Sequence, residues 1–137
     1  MATYNKYNAG TEALNESVNA GADTWRIILS NTAPNAATHA VQADATELAT
    51  SGGYTVNGNT CAVTSSGQTG GVQRLILADP AIWTATGGGF TVRYAILWNQ
   101  TANALIGWWD YGSSQVVAAG ETFAVDLDGT NGVYTIT

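Results

Sequence analysis

The feature that most constrains this fold is a nine-residue segment, 90–98, in which every second residue is large and apolar. The alternating residues are Phe90, Val92, Tyr94, Ile96 and Trp98. Because side chains two residues apart in a β-strand share a face, this period predicts a strand with one continuous apolar face. Such a face is stable only when it packs against a second layer.

Shorter segments of similar character follow one another along the chain. They predict strands at 24–30, 54–56, 60–64, 72–78, 90–98, 104–111, 122–128 and 132–136. Turn-forming residues lie between several of them. Asn57-Gly58-Asn59 predicts a hairpin between the second and third of these strands, and the segment from Asp128 to Gly132 predicts another between the last two.

One helix is predicted near the N-terminus, where Ala13, Leu14 and Val18 form a narrow apolar stripe that stops before Gly21. Strands and helices do not alternate, so a parallel sheet is not expected. A length of 137 residues is typical of one domain. We therefore predict an all-β fold, a jelly roll or antiparallel β-sandwich with one short N-terminal helix, forming a single domain over residues 1–137.

Composition narrows the range of functions. Ten acidic residues against four basic ones give a formal net charge of −6. Without a basic surface, direct binding to nucleic acid or to an anionic membrane is not expected. No apolar segment approaches the ~20 residues that span a bilayer, and the N-terminus lacks a signal-peptide pattern, which predicts synthesis in a cytosol-like compartment. The single cysteine, Cys61, is predicted to be a buried, unreactive thiol.

Side chains that carry catalysis or bind metals are scarce. The only histidine, His39, lies among small residues in a predicted loop, which disfavours a Ser-His-Asp triad. One histidine and one cysteine cannot supply the four ligands of a structural zinc site. Two alternatives stay open: a calcium loop at 126–132 and a glycosidase carboxylate pair among Asp110, Asp126 and Asp128. We expect neither an enzyme nor a cofactor.

Large aromatic side chains are the residues of this chain that are best suited to form a core or to contact a partner. We expect Trp25, Tyr94 and Trp98 to lie in the core, because they occupy apolar faces of predicted strands. Adjacent residues of a strand point to opposite faces, so one of the neighbours Trp108 and Trp109 is expected to face outward or toward a second layer. Two tyrosines in a polar N-terminal segment, residues 1–10, suggest that this segment docks on a partner. The candidate partner-binding residues are Tyr4, Tyr7, Trp108, Trp109 and Tyr111.

The order and spacing of several segments resemble a family of small tailed-bacteriophage capsid decoration proteins, also called cement proteins. The resemblance covers nearly the whole chain. It rests on segments 1–8, 31–34, 77–80 with Trp83 and Thr84, 107–113 and 126–133.

The resemblance implies a jelly-roll β-sandwich that is made in the host cytoplasm and binds the outer surface of an icosahedral head. Its implied partner is the major capsid protein, whose neighbouring subunits it would clamp, with a homodimer or other self-contact on the shell as a further option. Members of such families have no catalytic residues. The alternatives are a carbohydrate- or receptor-binding β-sandwich module, which would stack sugars on exposed rings, and a tail component.

Overall fold

The computed structural model describes residues 2–137, so Met1, the first residue of the predicted docking segment, lies outside the described residues. In chain order its elements are β1 Thr3–Lys6, α1 Asn8–Glu16, β2 Trp25–Ser30, β3 Asn59–Cys61, β4 Val63–Thr69, β5 Val72–Leu77, β6 Trp83–Thr84, β7 Phe90–Asn99, β8 Ala104–Val117, β9 Thr122–Phe123 and β10 Tyr134–Ile136. A short 3₁₀ helix, Gln42–Asp44, lies between β2 and β3. No helix within 2–137 is long and apolar enough to cross a membrane.

The strands form antiparallel sheets, as predicted. A five-stranded sheet has the order β1-β8-β7-β2-β3, a three-stranded sheet the order β10-β5-β4, and β6 pairs with β9. The main core joins residues from all three sheets, including Ile27 and Leu97 from the first and Leu75 from the second. The predicted all-β fold with a single short α-helix is confirmed for the described residues.

Neither predicted hairpin forms. Residues 54–56 are not in a strand, and β3 pairs with β2 instead. Near the C-terminus, β9 pairs with β6 and β10 pairs with β5. The predicted strand at 122–128 is only two residues long, although Val125 and Leu127 are buried. The Leu127 N–H donates to the Asp79 carboxylate at 2.7 Å, which replaces a ladder bond. The alternation in residues 122–128 therefore predicted correctly which side chains are buried. It did not predict the pairing of β9 and β10, because their partner strands lie far away in sequence.

The apolar face predicted for 90–98 is divided between two cores. Val92 packs in the main core, whereas Tyr94, Ile96 and Trp98 pack in a second core on the other face of the five-stranded sheet. The register of β7 against β8 shifts between Val92 and Tyr94, so Arg93 interrupts the alternation. A bulge reverses the direction of every following side chain. The apolar face that was predicted to be continuous is therefore divided after Val92.

The second core is covered by the long connection that follows β2. Ala36 and Ala45 pack against it. The Asn8 N–H donates to the Ala36 carbonyl at 2.9 Å, and the Leu105 N–H donates to that of Ala40 at the same distance. These bonds hold residues 31–48 across the outer face of the sheet. As a result, both faces of the five-stranded sheet are buried over much of its area.

Helix α1 closes one end of the main core. Ala13 and Leu14 of α1 pack against that core, as predicted. Val18 packs there too but lies outside the helix, because α1 ends at Glu16 and not just before Gly21. Gly10 is buried where the helix crosses β8. A Cβ atom at this position would lie 2.7 Å from the Leu105 carbonyl oxygen, so the absence of a side chain sets how closely the helix packs.

Candidate functional site: a trench along the first strand

The five candidate aromatic residues separate onto opposite faces of one sheet. Trp109 and Tyr111 pack against the main core on the inner face, while Tyr7 and Trp108 belong to the second core on the outer face. Tyr4 pairs directly with Trp109 across the β1–β8 ladder. The prediction that Trp108 and Trp109 point to opposite faces is confirmed.

Tyr7 and Trp108 are buried, which corrects their assignment as surface contacts. Tyr7 is 0% exposed and Trp108 is 8% exposed. Their ring centroids are 4.7 Å apart, beneath the segment that covers the outer face. Burial raises the pKa of the Tyr7 hydroxyl, which has no hydrogen-bond partner among the described residues. Neither ring can reach a partner unless residues 31–48 move away.

Tyr4 and Trp109 form an aromatic pair at the lateral edge of the sandwich. Their ring centroids are 5.2 Å apart, and Tyr4 remains 38% exposed. The Tyr4 ring lies over Gly107, where a Cβ atom would overlap the Tyr4 hydroxyl. Partial burial raises the pKa of Tyr4 to about 12, so this hydroxyl is neutral at physiological pH. Gly107 was not identified from sequence, although a glycine inside an apolar strand often marks close approach by another group.

Tyr111 is positioned by an irregular part of β8. Residues 111–114 lie between Asp110, paired with Tyr94, and Gln115, paired with Val92. Arg93 fixes this bulge, because its guanidinium Nε lies 2.9 Å from the Asp110 carboxylate. The Tyr111 ring meets Phe123 edge to face at 5.4 Å. The geometry therefore places Tyr111 beside the segment that follows β9.

Two grooves meet the Tyr4–Trp109 pair, one lined by Tyr4 and the other by Trp109, and we call them together the β1 trench. The helix-side groove, of about 1290 Å³, lies between β1, α1 and β10. Its lining includes Tyr4, Lys6, Glu12, Leu14, Ile106, Val133, Tyr134 and Ile136. The turn-side groove, of about 590 Å³, is lined by Ala2, Trp109, Tyr111 and residues 124–129. The sequence did not predict Lys6, Tyr134 or Ile136 as site residues, because no local sequence pattern indicates that β10 lies opposite β1.

The outer edge of β1 borders this trench. The Tyr7 N–H donates to the Ile106 carbonyl on β8 at 3.1 Å. Main-chain groups of an antiparallel strand point alternately toward and away from the neighbouring strand, so those of Tyr4 and Lys6 point away from β8. Within residues 2–137, no hydrogen bond joins these outward groups to another element, and β8 is the only strand paired with β1.

The charged groups along the trench are mainly acidic. Asp126 and Asp128 line the turn-side groove, and Glu12 and Lys6 line the helix-side groove. The Asp128 carboxylate accepts hydrogen bonds at 2.8 Å from the main-chain N–H groups of Asn131 and Thr130, which lower its pKa. It is therefore ionised and its position is fixed by the turn. In residues 2–137, no three His, Cys, Asp or Glu side chains come together to hold a metal ion.

The two other groups considered from sequence lie away from the trench. Cys61 is 2% exposed, as predicted, and burial raises its pKa to about 12, which keeps the thiol protonated. His39 stacks near Tyr7 with ring centroids 6.3 Å apart, and its Nδ1 accepts the Asn35 N–H at 3.3 Å. His39 is thus part of the covering segment.

Comparisons with protein-family models, curated proteins and solved structures give no match to this chain. Its function must be argued from the geometry of the trench and from the sequence.

Proposed function

We propose that this protein is a virion structural protein that binds the outer surface of a phage head. In this proposal it stabilises the expanded capsid by clamping neighbouring major capsid subunits, and the β1 trench is the surface that meets them. The jelly-roll arrangement implied by the family resemblance is part of the same proposal. The chain would act by contact alone, with no cofactor and no chemical step.

One observation carries the proposal. Tyr4 and Trp109 come from opposite ends of the chain and meet at 5.2 Å beside two open grooves, with Tyr111 lining one of them. Half-buried aromatic rings in a groove are typical anchors of protein interfaces, because they supply large contact area at little entropic cost. An interface of ~1,600 Å² is a standard size for stable attachment, and many symmetric copies would add their effects over a shell.

The test is co-sedimentation of the purified protein with expanded heads of the phage that encodes it, after removal of decorating proteins. We expect saturable binding at a fixed ratio to the major capsid protein, together with a higher temperature of head disruption. Unexpanded heads are the matched control. If folded protein does not sediment with expanded heads, the proposal is refuted.

A carbohydrate-binding module is the second candidate, and the turn-side groove favours it. Trp109 and Tyr111 line this groove together with the carboxylates of Asp126 and Asp128. Aromatic faces that stack on sugar rings and carboxylates that accept sugar hydroxyl hydrogens are a common combination in lectins. A glycan array separates the two functions, since a capsid-binding protein is expected to give no selective signal there.

A further inference from the structure

We propose that the β1 trench receives an extended, basic segment of the partner protein, which adds as a new strand along the outer edge of β1. This inference rests on the proposed function and gives the chemistry of the capsid segment that the protein would recognise. Three features of the trench carry it: the free strand edge, the pattern of its lining and its charge.

The free edge supplies the main-chain partners. Outward N–H and C=O groups at Tyr4 and Lys6 are spaced for one antiparallel or parallel strand, and no element of residues 2–137 uses them. Unpaired edges of this kind are a general route to strand addition by a partner. β10 is also the outermost strand of its sheet, so no strand of the described chain fills the space between it and β1.

The lining supplies places for alternate side chains of the added strand. Ala2, Tyr4 and Lys6 are two residues apart and border successive parts of the trench. Apolar surface from Leu14 and Ile136 lies on the helix side. Ile136 is 45% exposed, so it has unburied area that a partner side chain can cover. A strand with every second residue apolar matches this arrangement.

The charge argues for a basic segment and against a second copy of this chain. Among residues 2–137, the charged side chains that line the trench are Asp126, Asp128 and Glu12, with Lys6 as the one positive side chain. The whole chain carries a net charge of −6, so two copies repel one another. A segment that places lysine or arginine beside residues 126–128 gains attraction there without losing the main-chain bonds.

The experiment uses a labelled peptide of about nine residues with threonine at every second position; the positions between, which face the trench, are valine in one half and lysine in the other. It is made in both orders to allow for either strand direction, and a second set has glutamate in place of lysine. Fluorescence anisotropy measures their binding to the intact protein. We expect the lysine peptide to bind at least about tenfold more tightly, with the difference shrinking as salt is raised. Equal binding of both peptides, or of neither, overturns the inference.

Two variants of Lys6 separate the main-chain role from the charge. Lys6→Pro removes an N–H that points away from β8, so the fold is expected to persist while peptide binding is lost. Lys6→Gln keeps the N–H and removes a positive charge from the trench, so it is expected to bind the lysine peptide at least as tightly as the unmodified protein. If Lys6→Pro does not fold, amide exchange of the unmodified protein decides: the Tyr4 and Lys6 amides must become protected when the lysine peptide is added.

A second pair of variants tests the acidic side. Asp126→Asn is expected to weaken binding of the lysine peptide about three- to fivefold, whereas Glu16→Gln, an exposed acid outside the trench, leaves it unchanged. Failure of the two proposals is distinguishable. Head binding that survives Lys6→Pro overturns strand addition and leaves the capsid function standing. Peptide binding without head binding refutes the capsid function and leaves strand addition standing.

Discussion

At the scale of single residues, the neighbours Trp108 and Trp109 show how one step along a strand decides a side chain's role. Trp108 packs in the covered outer core with Tyr7, and Trp109 lies at the open edge beside Tyr4. Both rings have the same chemistry and nearly the same sequence context. Their roles differ because residues 31–48 cover the face that carries Trp108, whereas a groove leaves the face of Trp109 accessible.

This contrast gives a prediction about folding and binding. Trp108→Ala is expected to lower the free energy of unfolding by about 3–5 kcal/mol, because it leaves a cavity in a closed core. Trp109→Ala is expected to cost only about 1–2 kcal/mol, because its ring is half-buried, but to weaken binding to heads severely. Urea denaturation and co-sedimentation measure the two effects. The prediction fails if Trp109→Ala is the less stable variant, or if its folded fraction binds normally.

The sequence predicted that these two rings point to opposite faces but not which one is accessible. Strand periodicity is a local property, and the covering segment 31–48 has no periodic pattern that reveals where it lies. The sequence did not predict the roles of Gly107 and of the bulge at Arg93, for a related reason. Their effect depends on which strand is the neighbour, and that is decided by contacts distant in sequence.

At the scale of elements, the contact between α1 and β8 is set by a single missing side chain. Alanine is normally favoured over glycine in a helix by about 1 kcal/mol. At Gly10, however, a Cβ would lie 2.7 Å from the Leu105 carbonyl oxygen and 3.0 Å from the Ile106 Cα. The helix cannot accept it without moving away from the strand that forms part of the trench floor.

Gly10→Ala is therefore expected to destabilise the protein by about 1–3 kcal/mol, the reverse of the usual helix effect. The matched control is Gly67→Ala in β4, where no atom lies within 4 Å of the added carbon and little change is expected. Thermal unfolding of the two variants measures the difference. A Gly10→Ala protein as stable as the control would show that the helix packs more loosely than the structure indicates.

The predicted elements succeeded where their signal was local. The strands at 24–30 and 90–98 form close to their expected bounds, and the short helix forms but ends at Glu16, well before the predicted stop at Gly21. The first hairpin failed because Asn57 and Gly58 bind β2 instead: the Arg26 guanidinium donates to the Asn57 carbonyl at 2.7 Å and to that of Gly58 at 3.0 Å. The second failed because β9 pairs with β6 and β10 pairs with β5. A turn motif predicts a reversal of direction but cannot identify the strand that receives it.

At the scale of the whole molecule, stability is expected to fall in acid. The pKa of Asp110 is lowered from 3.8 by the hydrogen bond from Arg93, and main-chain hydrogen bonds lower those of Asp44 and Asp128. A carboxyl whose pKa is lower in the folded state stabilises the fold above its unfolded value. That contribution is lost as pH falls through the folded value.

The urea midpoint is therefore expected to drop between about pH 5 and pH 2, and Asp110→Asn should show a smaller drop than the unmodified protein. Glu16→Gln, which removes an exposed carboxylate from the end of α1, is the control for a simple change in net charge. Identical pH profiles for Asp110→Asn and the unmodified protein would contradict the assigned role of the Arg93–Asp110 pair.

The pairing of β1 with β8 also has a consequence for the order of folding. β1 is synthesised well before β8, since Thr3 pairs with Asp110, more than a hundred residues later. Closing so long a loop is slow compared with local pairing, and on the ribosome it must wait until β8 has emerged. The trench, which needs β1 as one wall, is thus completed only after most of the chain is made. A chain that has not yet paired β1 with β8 would carry these aromatic residues without the trench they line, so the proposed partner binding would require that pairing first.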